Sequence, residues 1–138
     1  MTDMIHNQIP EASTEEERIY KENVLDHYRN PRNRGAFSPC TFRHREINAS
    51  CGDDLEMFVT VESGKISRIA FVGRGCAVSQ AAVSMLTEHV QGKMLVEIET
   101  MGKDAMIGLL GIPIGPSRLK CALLGLKTLQ NGMVKNKI

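Results

Sequence analysis

Aromatic side chains are scarce in this chain of 138 residues: it has no tryptophan, two tyrosines and four phenylalanines. Proteins that hold single-stranded nucleic acid stack bases on such rings, and few platforms are available here. Charge of one sign is lacking too. Lys and Arg number 17 against 16 Asp and Glu, a net charge of +1, which offers no bulk field to draw in polyanions. No nucleic-acid partner is expected. Apolar runs extend only a few residues, far short of the roughly 18 that would cross a bilayer, so no membrane partner is expected. The opening Met1-Thr2-Asp3-Met4-Ile5-His6 has neither the basic nor the apolar region of a secretory signal. These absences predict a soluble cytoplasmic protein of one domain, since domains run to about 100–200 residues.

What the chain does have is four cysteines, Cys40, Cys51, Cys76 and Cys121. An even set in a small secreted chain would suggest disulfides, but cytosolic thiols stay reduced. Buried cysteines acting as small hydrophobes are the plain alternative to a chemical role.

Residues 1–12 are polar and without pattern and are read as a flexible arm, residues 13–132 as the folded domain, and residues 133–138 as a flexible tail. Ser13 and Thr14 suit a helix N-cap, with Glu16 and Glu17 three residues on. Ile19, Tyr20, Val24, Leu25 and Tyr28 then fall on one helical stripe. Asn30-Pro31 ends that helix, because the residue before proline disfavours helical geometry. Three extended segments follow over residues 41–48, 55–61 and 66–72. Leu55, Met57, Val59 and Val61 alternate with Glu56, Phe58 and Thr60, and Glu62-Ser63-Gly64-Lys65 supplies a hairpin turn. After Gly73-Arg74-Gly75 the pattern turns helical over residues 77–91, then gives short helices within 97–110 broken near Gly102 and Gly108. A last helix starts near Ser117 and ends at Asn131-Gly132. The order α-β-β-β-α-α-α predicts an α+β fold, a three-stranded antiparallel meander packed against helices.

Three of the four cysteines sit at element junctions. Cys51-Gly52-Asp53 lies in the turn between the first two strands, where Gly52 lets a thiolate and a carboxylate converge. Cys76 opens a helix, whose N-terminal dipole favours a thiolate. Cys121 lies about one turn into the last helix, with Arg118 and Lys120 nearby to favour its charged form. No local pair of cysteines at zinc-finger spacing exists, so the argument is topological. A meander tip, a helix N-terminus and a helix first turn can meet at one end of the layer. Three thiolates and a carboxylate would then suit tetrahedral Zn²⁺ or a two-iron cluster. An oxygen in place of one thiolate weakens the hold on a soft cluster. On the pattern alone, inert buried cysteines remain an open alternative.

The segment Tyr20-Lys21-Glu22-Asn23-Val24-Leu25-Asp26-His27-Tyr28-Arg29-Asn30-Pro31-Arg32-Asn33 resembles the N-terminal helix and loop of the IscU/SufU/NifU N-terminal family of iron–sulfur cluster assembly scaffolds. Ala49-Ser50-Cys51-Gly52-Asp53-Asp54 resembles the family's first ligand turn, Gly73-Arg74-Gly75-Cys76-Ala77-Val78-Ser79-Gln80 its second, and Arg118-Leu119-Lys120-Cys121-Ala122-Leu123-Leu124 its third. The likeness spans roughly residues 17–132. It implies Cys51, Asp53, Cys76 and Cys121 as ligands of iron or a transient [2Fe-2S] cluster, with Zn²⁺ as the alternative occupant. It implies a cysteine desulfurase of the IscS or SufS type as sulfur donor, Cys121 or Cys51 as the persulfide acceptor, and recipient apo iron–sulfur proteins or carriers. Cys40 matches no family ligand.

Two features depart from the IscU subtype. Lys120 stands before the third cysteine, where that subtype has histidine, and Ile112-Pro113-Ile114-Gly115-Pro116 replaces its Leu-Pro-Pro-Val-Lys segment. Lysine at that position is SufU-like, and SufU-type members bind Zn²⁺ and accept sulfur, although the stretch between Cys76 and Cys121 is short for the SufU insertion. The expectation is a scaffold with no turnover chemistry of its own, the alternative a zinc-binding sulfurtransferase. His27 is read as a partly buried polar residue, His6, His44 and His89 as surface residues, and Asp54 as a solvated turn carboxylate.

Overall fold

A computed structural model describes residues 14–137. The arm expected over residues 1–12 lies outside them. Helix α1, Glu15–Arg29, starts where the Thr14 side chain accepts the backbone N–H of Glu17 at 3.0 Å. Three glutamates in its first turn complement the positive end of the helix dipole. Val24, Leu25 and His27 are its buried residues. Ile19 leaves the expected stripe and is 64% exposed.

Strands β1 (Phe42–Asn48), β2 (Asp53–Glu62) and β3 (Lys65–Arg74) form one antiparallel sheet in the order β1-β2-β3. β2 begins two residues earlier than its apolar alternation suggests, because Asp53 pairs with Asn48 and Asp54 with Arg74. These registers bring the β1–β2 turn level with the end of β3. Gly52 turns the chain there in the left-handed region, at φ 70°.

Helix α2, Ala77–Val90, is buried along nearly its whole length and packs against α1, the long C-terminal helix and β3. Gly92 follows it at φ 85°, a left-handed residue just beyond the helix end. Two short helices follow, α3 (Leu95–Glu99) and α4 (Lys103–Leu110). Gly108 therefore lies inside α4 and breaks nothing. The long helix α5, Pro116–Lys135, covers β1 and β2. It runs past Gly132, the expected stop, and the segment expected as a tail contributes Met133, 2% exposed, to the core. The physical reason is packing. A Cβ on Gly132 would press on Phe42 and on the Cβ of His44, so this glycine serves the approach of α5 to β1.

His27 takes the buried polar role expected of it, whereas His44 departs from its expected surface role. His27 is buried, its Nδ1 2.8 Å from Ser84 Oγ and its Nε2 3.3 Å from Glu88. His44 Nε2 lies 2.5 Å from Glu46, a carboxylate that also accepts from Asn131 of α5. Among the described residues no helix is long and apolar enough to cross a membrane.

Candidate metal centre

Asp53 opens β2 and shares the strand parity of Leu55, Met57 and Val59, the face that packs on the helices. It is fully buried. Asp54, one residue on, points outward and is held by Arg45, with Nε and Nη2 at 2.8 and 2.5 Å from its two carboxylate oxygens. This pairing holds the Asp54 carboxyl below the usual range. Asp54 is thus an ion-pair partner rather than a free turn carboxylate.

The β3–α2 junction folds over Asp53. Its Oδ1 accepts the backbone N–H of Cys76 at 3.0 Å and the Ser79 hydroxyl at 3.2 Å. Gly75 makes this approach possible, since a Cβ there would fall on the Asp53 carboxylate and the Ser79 oxygen. Cys76 is the N-cap of α2, and its sulfur accepts the backbone N–H of Ser79 at 3.5 Å. Oδ2 of Asp53 is buried with no hydrogen-bond partner. An unpaired carboxylate oxygen shut away from water is costly unless a cation compensates it.

Cys121 completes the group from the first turns of α5. The ligand atoms of Cys51, Asp53 and Cys121 all lie within 4.8 Å of one another. A tetrahedral zinc with bonds of about 2.0–2.3 Å would set its ligands about 3.5–4 Å apart, so a contraction of about 1 Å would close this set. Cys76 also faces the Cys121 thiol but stands outside the mutual 4.8 Å group. The donor set of soft thiols and one hard oxygen fits zinc or iron. Cys51 and Cys76 are half-buried and Cys121 is fully buried. Cys40 is a free, half-buried cysteine that is not in the group.

Burial pushes the Cys121 thiol up from its ordinary value, and the facing Cys51, Cys76 and Asp53 push it further. Arg118 and Lys120, expected to favour its charged form, do not offset this. Lys120 is exposed to solvent while the Cys121 sulfur is enclosed among other donors, so desolvation outweighs the neighbouring cations. A bound cation would reverse the balance, because coordination removes the thiol proton outright.

Ser79 and Gly75 carry positioning roles that the sequence reading did not assign. Ser79 follows Cys76 by three residues, the spacing at which a helix N-cap meets the third residue of its helix, and that spacing is a usable signal.

The fold and this buried thiol–carboxylate cluster define a small α+β protein with a candidate metal centre at one end of its sheet. Residues 19–137 match the NifU-like N terminal domain family, and the chain belongs to that family. It is 30% identical over 136 residues to the zinc-dependent sulfurtransferase SufU of Bacillus subtilis, covering 86% of this chain and 92% of that protein. It is also 30% identical over 133 residues to the iron–sulfur cluster assembly scaffold protein IscU of Thermotoga maritima, covering 85% of this chain and 94% of that one. A crystal structure from Fervidobacterium islandicum, assigned as a scaffold protein for the SUF system, superposes with a TM-score of 0.73 at 26% identity, covering 84% of this chain and 97% of that one.

Proposed function

We propose that this chain is a scaffold for iron–sulfur cluster assembly. It accepts sulfur from a cysteine desulfurase, holds iron and a nascent [2Fe-2S] cluster as cargo on Cys51, Asp53, Cys76 and Cys121, and releases the product to recipient apo-proteins. The observation that carries this reading is the buried Oδ2 of Asp53, without a hydrogen-bond partner and grouped with two thiols within 4.8 Å. A carboxylate in that state calls for a cation, and its surroundings supply soft sulfur donors. The cytoplasm, where thiols stay reduced, is the setting this chemistry needs.

Sulfur arrives by thiol exchange. A thiolate of the scaffold attacks the terminal sulfur of the donor's persulfide, the donor's S–S bond breaks, and the donor leaves as a thiolate, with no net electron transfer. Cys51 suits the first attack, being half-buried in a turn, whereas Cys121 is enclosed. Cys121 is the second candidate acceptor. The oxygen of Asp53 is a harder donor than thiolate, which weakens retention of a soft cluster and favours its release.

Anaerobic reconstitution with iron, cysteine and a desulfurase should give visible charge-transfer absorption. Cys51→Ser, Cys76→Ser and Cys121→Ser should each abolish or strongly reduce it, and unchanged absorption in all three would defeat the reading. A second reading, a zinc-dependent sulfurtransferase that carries no iron, is favoured by Lys120 before the third cysteine and by the likeness to SufU. One tightly held Zn²⁺ per chain, faster desulfurase turnover and no cluster would select it.

A further inference from the structure

Between β1 and α5, next to the thiols, runs a groove of about 310 Å³. α5 lines it with Lys120, Leu123, Leu124 and Lys127, and the β1 side with Ile47, Asn48 and Ala49. Its apolar lining reaches solvent, since Ile47 is 55% exposed. The polar lining consists of hydrogen-bond donors and the Asn48 amide, with no carboxylate. Among the described residues neither lysine closes an ion pair. Glu46, whose field Lys127 reaches, is already taken by His44 and Asn131. The Nδ2 of Asn48 is buried with no acceptor.

An occupant that answers these features carries carboxylates for the lysines and apolar side chains for Ile47 and Leu123. A free small anion would leave the apolar lining in water, whereas a polypeptide segment can satisfy both. The groove also adjoins the chemistry. Ala49 is two residues from Cys51, and Lys120 is next to Cys121. A segment seated there would bring its flanking residues toward the half-buried Cys51.

We propose that this groove seats an acidic, apolar segment of the sulfur-donating protein, beside the cysteine that carries its persulfide. The proposal rests on the sulfur-acceptor reading above. Seven residues of helix separate the two lysines, a rise of about 10 Å. Two carboxylates spaced by about three to four residues of extended chain would match them. The two ammonium groups select the donor and set its register, and the apolar lining holds it while sulfur is exchanged.

The test measures binding of the cysteine desulfurase from the same organism by isothermal titration calorimetry, with zinc content determined in parallel. Lys127→Glu and Ile47→Ser should each weaken binding about tenfold or more while zinc content stays at the parental value. Lys127→Arg should retain binding. Lys65→Glu makes the same charge change at the β2–β3 turn, at the opposite end of the sheet, and should bind as the parent does. Raised salt should weaken the parent and leave Lys127→Glu less affected. If the parent binds but Lys127→Glu and Ile47→Ser bind equally well, the groove proposal is overturned and the sulfur-acceptor reading stands. If the parent itself does not bind the desulfurase, both are overturned.

Discussion

Gly75→Ala is the sharpest test of how the site is built. The new methyl would overlap the Asp53 carboxylate and the Ser79 oxygen. Two relaxations are open. The carboxylate can move, giving up the Cys76 N–H at 3.0 Å and the Ser79 hydroxyl at 3.2 Å; hydrogen bonds to a charged group contribute about 1.5–3 kcal/mol each. Alternatively the β3–α2 junction can shift outward, an overpacking strain of about 1–3 kcal/mol. The less costly route, the outward shift, sets the outcome, a loss of about 1–3 kcal/mol, which lowers Tm by about 3–10 °C in a domain of this size. Either route also moves a proposed ligand, Asp53 in the first and Cys76 in the second. Zinc affinity should therefore fall about 10–100-fold, the usual effect of disturbing the groups that orient ligands. The assay is thermal unfolding with and without excess zinc, combined with chelator competition for the dissociation constant. Gly108→Ala is the control: its Cβ enters open space inside α4, and relief of the helical glycine penalty should stabilise by up to about 1 kcal/mol. Parental Tm and zinc affinity in Gly75→Ala would refute the account of Asp53 as held beneath Cys76.

Asp53→Ala removes the hard donor, and a reconstituted cluster should persist longer, read as slower decay of its visible absorption; faster loss would contradict the labilising role proposed for the carboxylate. Gly132→Ala should lower stability by about 1–3 kcal/mol, because its Cβ would press on Phe42 and His44 where α5 meets β1; an unchanged denaturation midpoint would contradict that packing. Burial, and then the nearby Arg32, holds the His27 pKa below its ordinary value, against the opposing pull of Glu88 and Asp26. The folded state then binds fewer protons than the unfolded chain, so this contribution is present above about pH 6.5 and lost as pH falls toward the lower folded value. Urea midpoints at about pH 7.5 and pH 5.5 should differ less in His27→Gln than in the parent, and equal differences would exclude His27 as a source.

Much of the candidate site was legible because its parts lie at element junctions, where local chemistry is strongest. Gly52 beside Cys51 and Gly75 beside Cys76 mark places where the backbone turns sharply or another group comes close. What local pattern missed depends on contacts between elements distant in sequence. Gly132 reads as a helix stop until Phe42 is seen against it, 90 residues earlier in the chain. His44 reads as exposed until β1 and α5 bring Glu46 and Asn131 beside it. Arg118 and Lys120 read as cations that would ionise Cys121, but proximity in sequence says nothing of which side of α5 faces solvent, and desolvation prevails.

The two adjacent aspartates show how far strand parity alone could have gone. Successive side chains of a strand point to opposite faces. With Leu55, Met57 and Val59 facing the core, Asp53 must face inward at the strand's first position and Asp54 outward. The same rule then predicts their different fates: the outward carboxylate finds Arg45 across the sheet, and the inward one must find donors or a cation. Cys76 and Ser79 satisfy one oxygen from the β3–α2 junction. The other is left to whatever the thiols beside it can bind. A register slip of one residue would exchange the two and bury the arginine-paired carboxylate instead. The pairings Asn48 with Asp53 and Asp54 with Arg74 therefore do more than align strands. They determine that Asp53, rather than Asp54, faces the thiols.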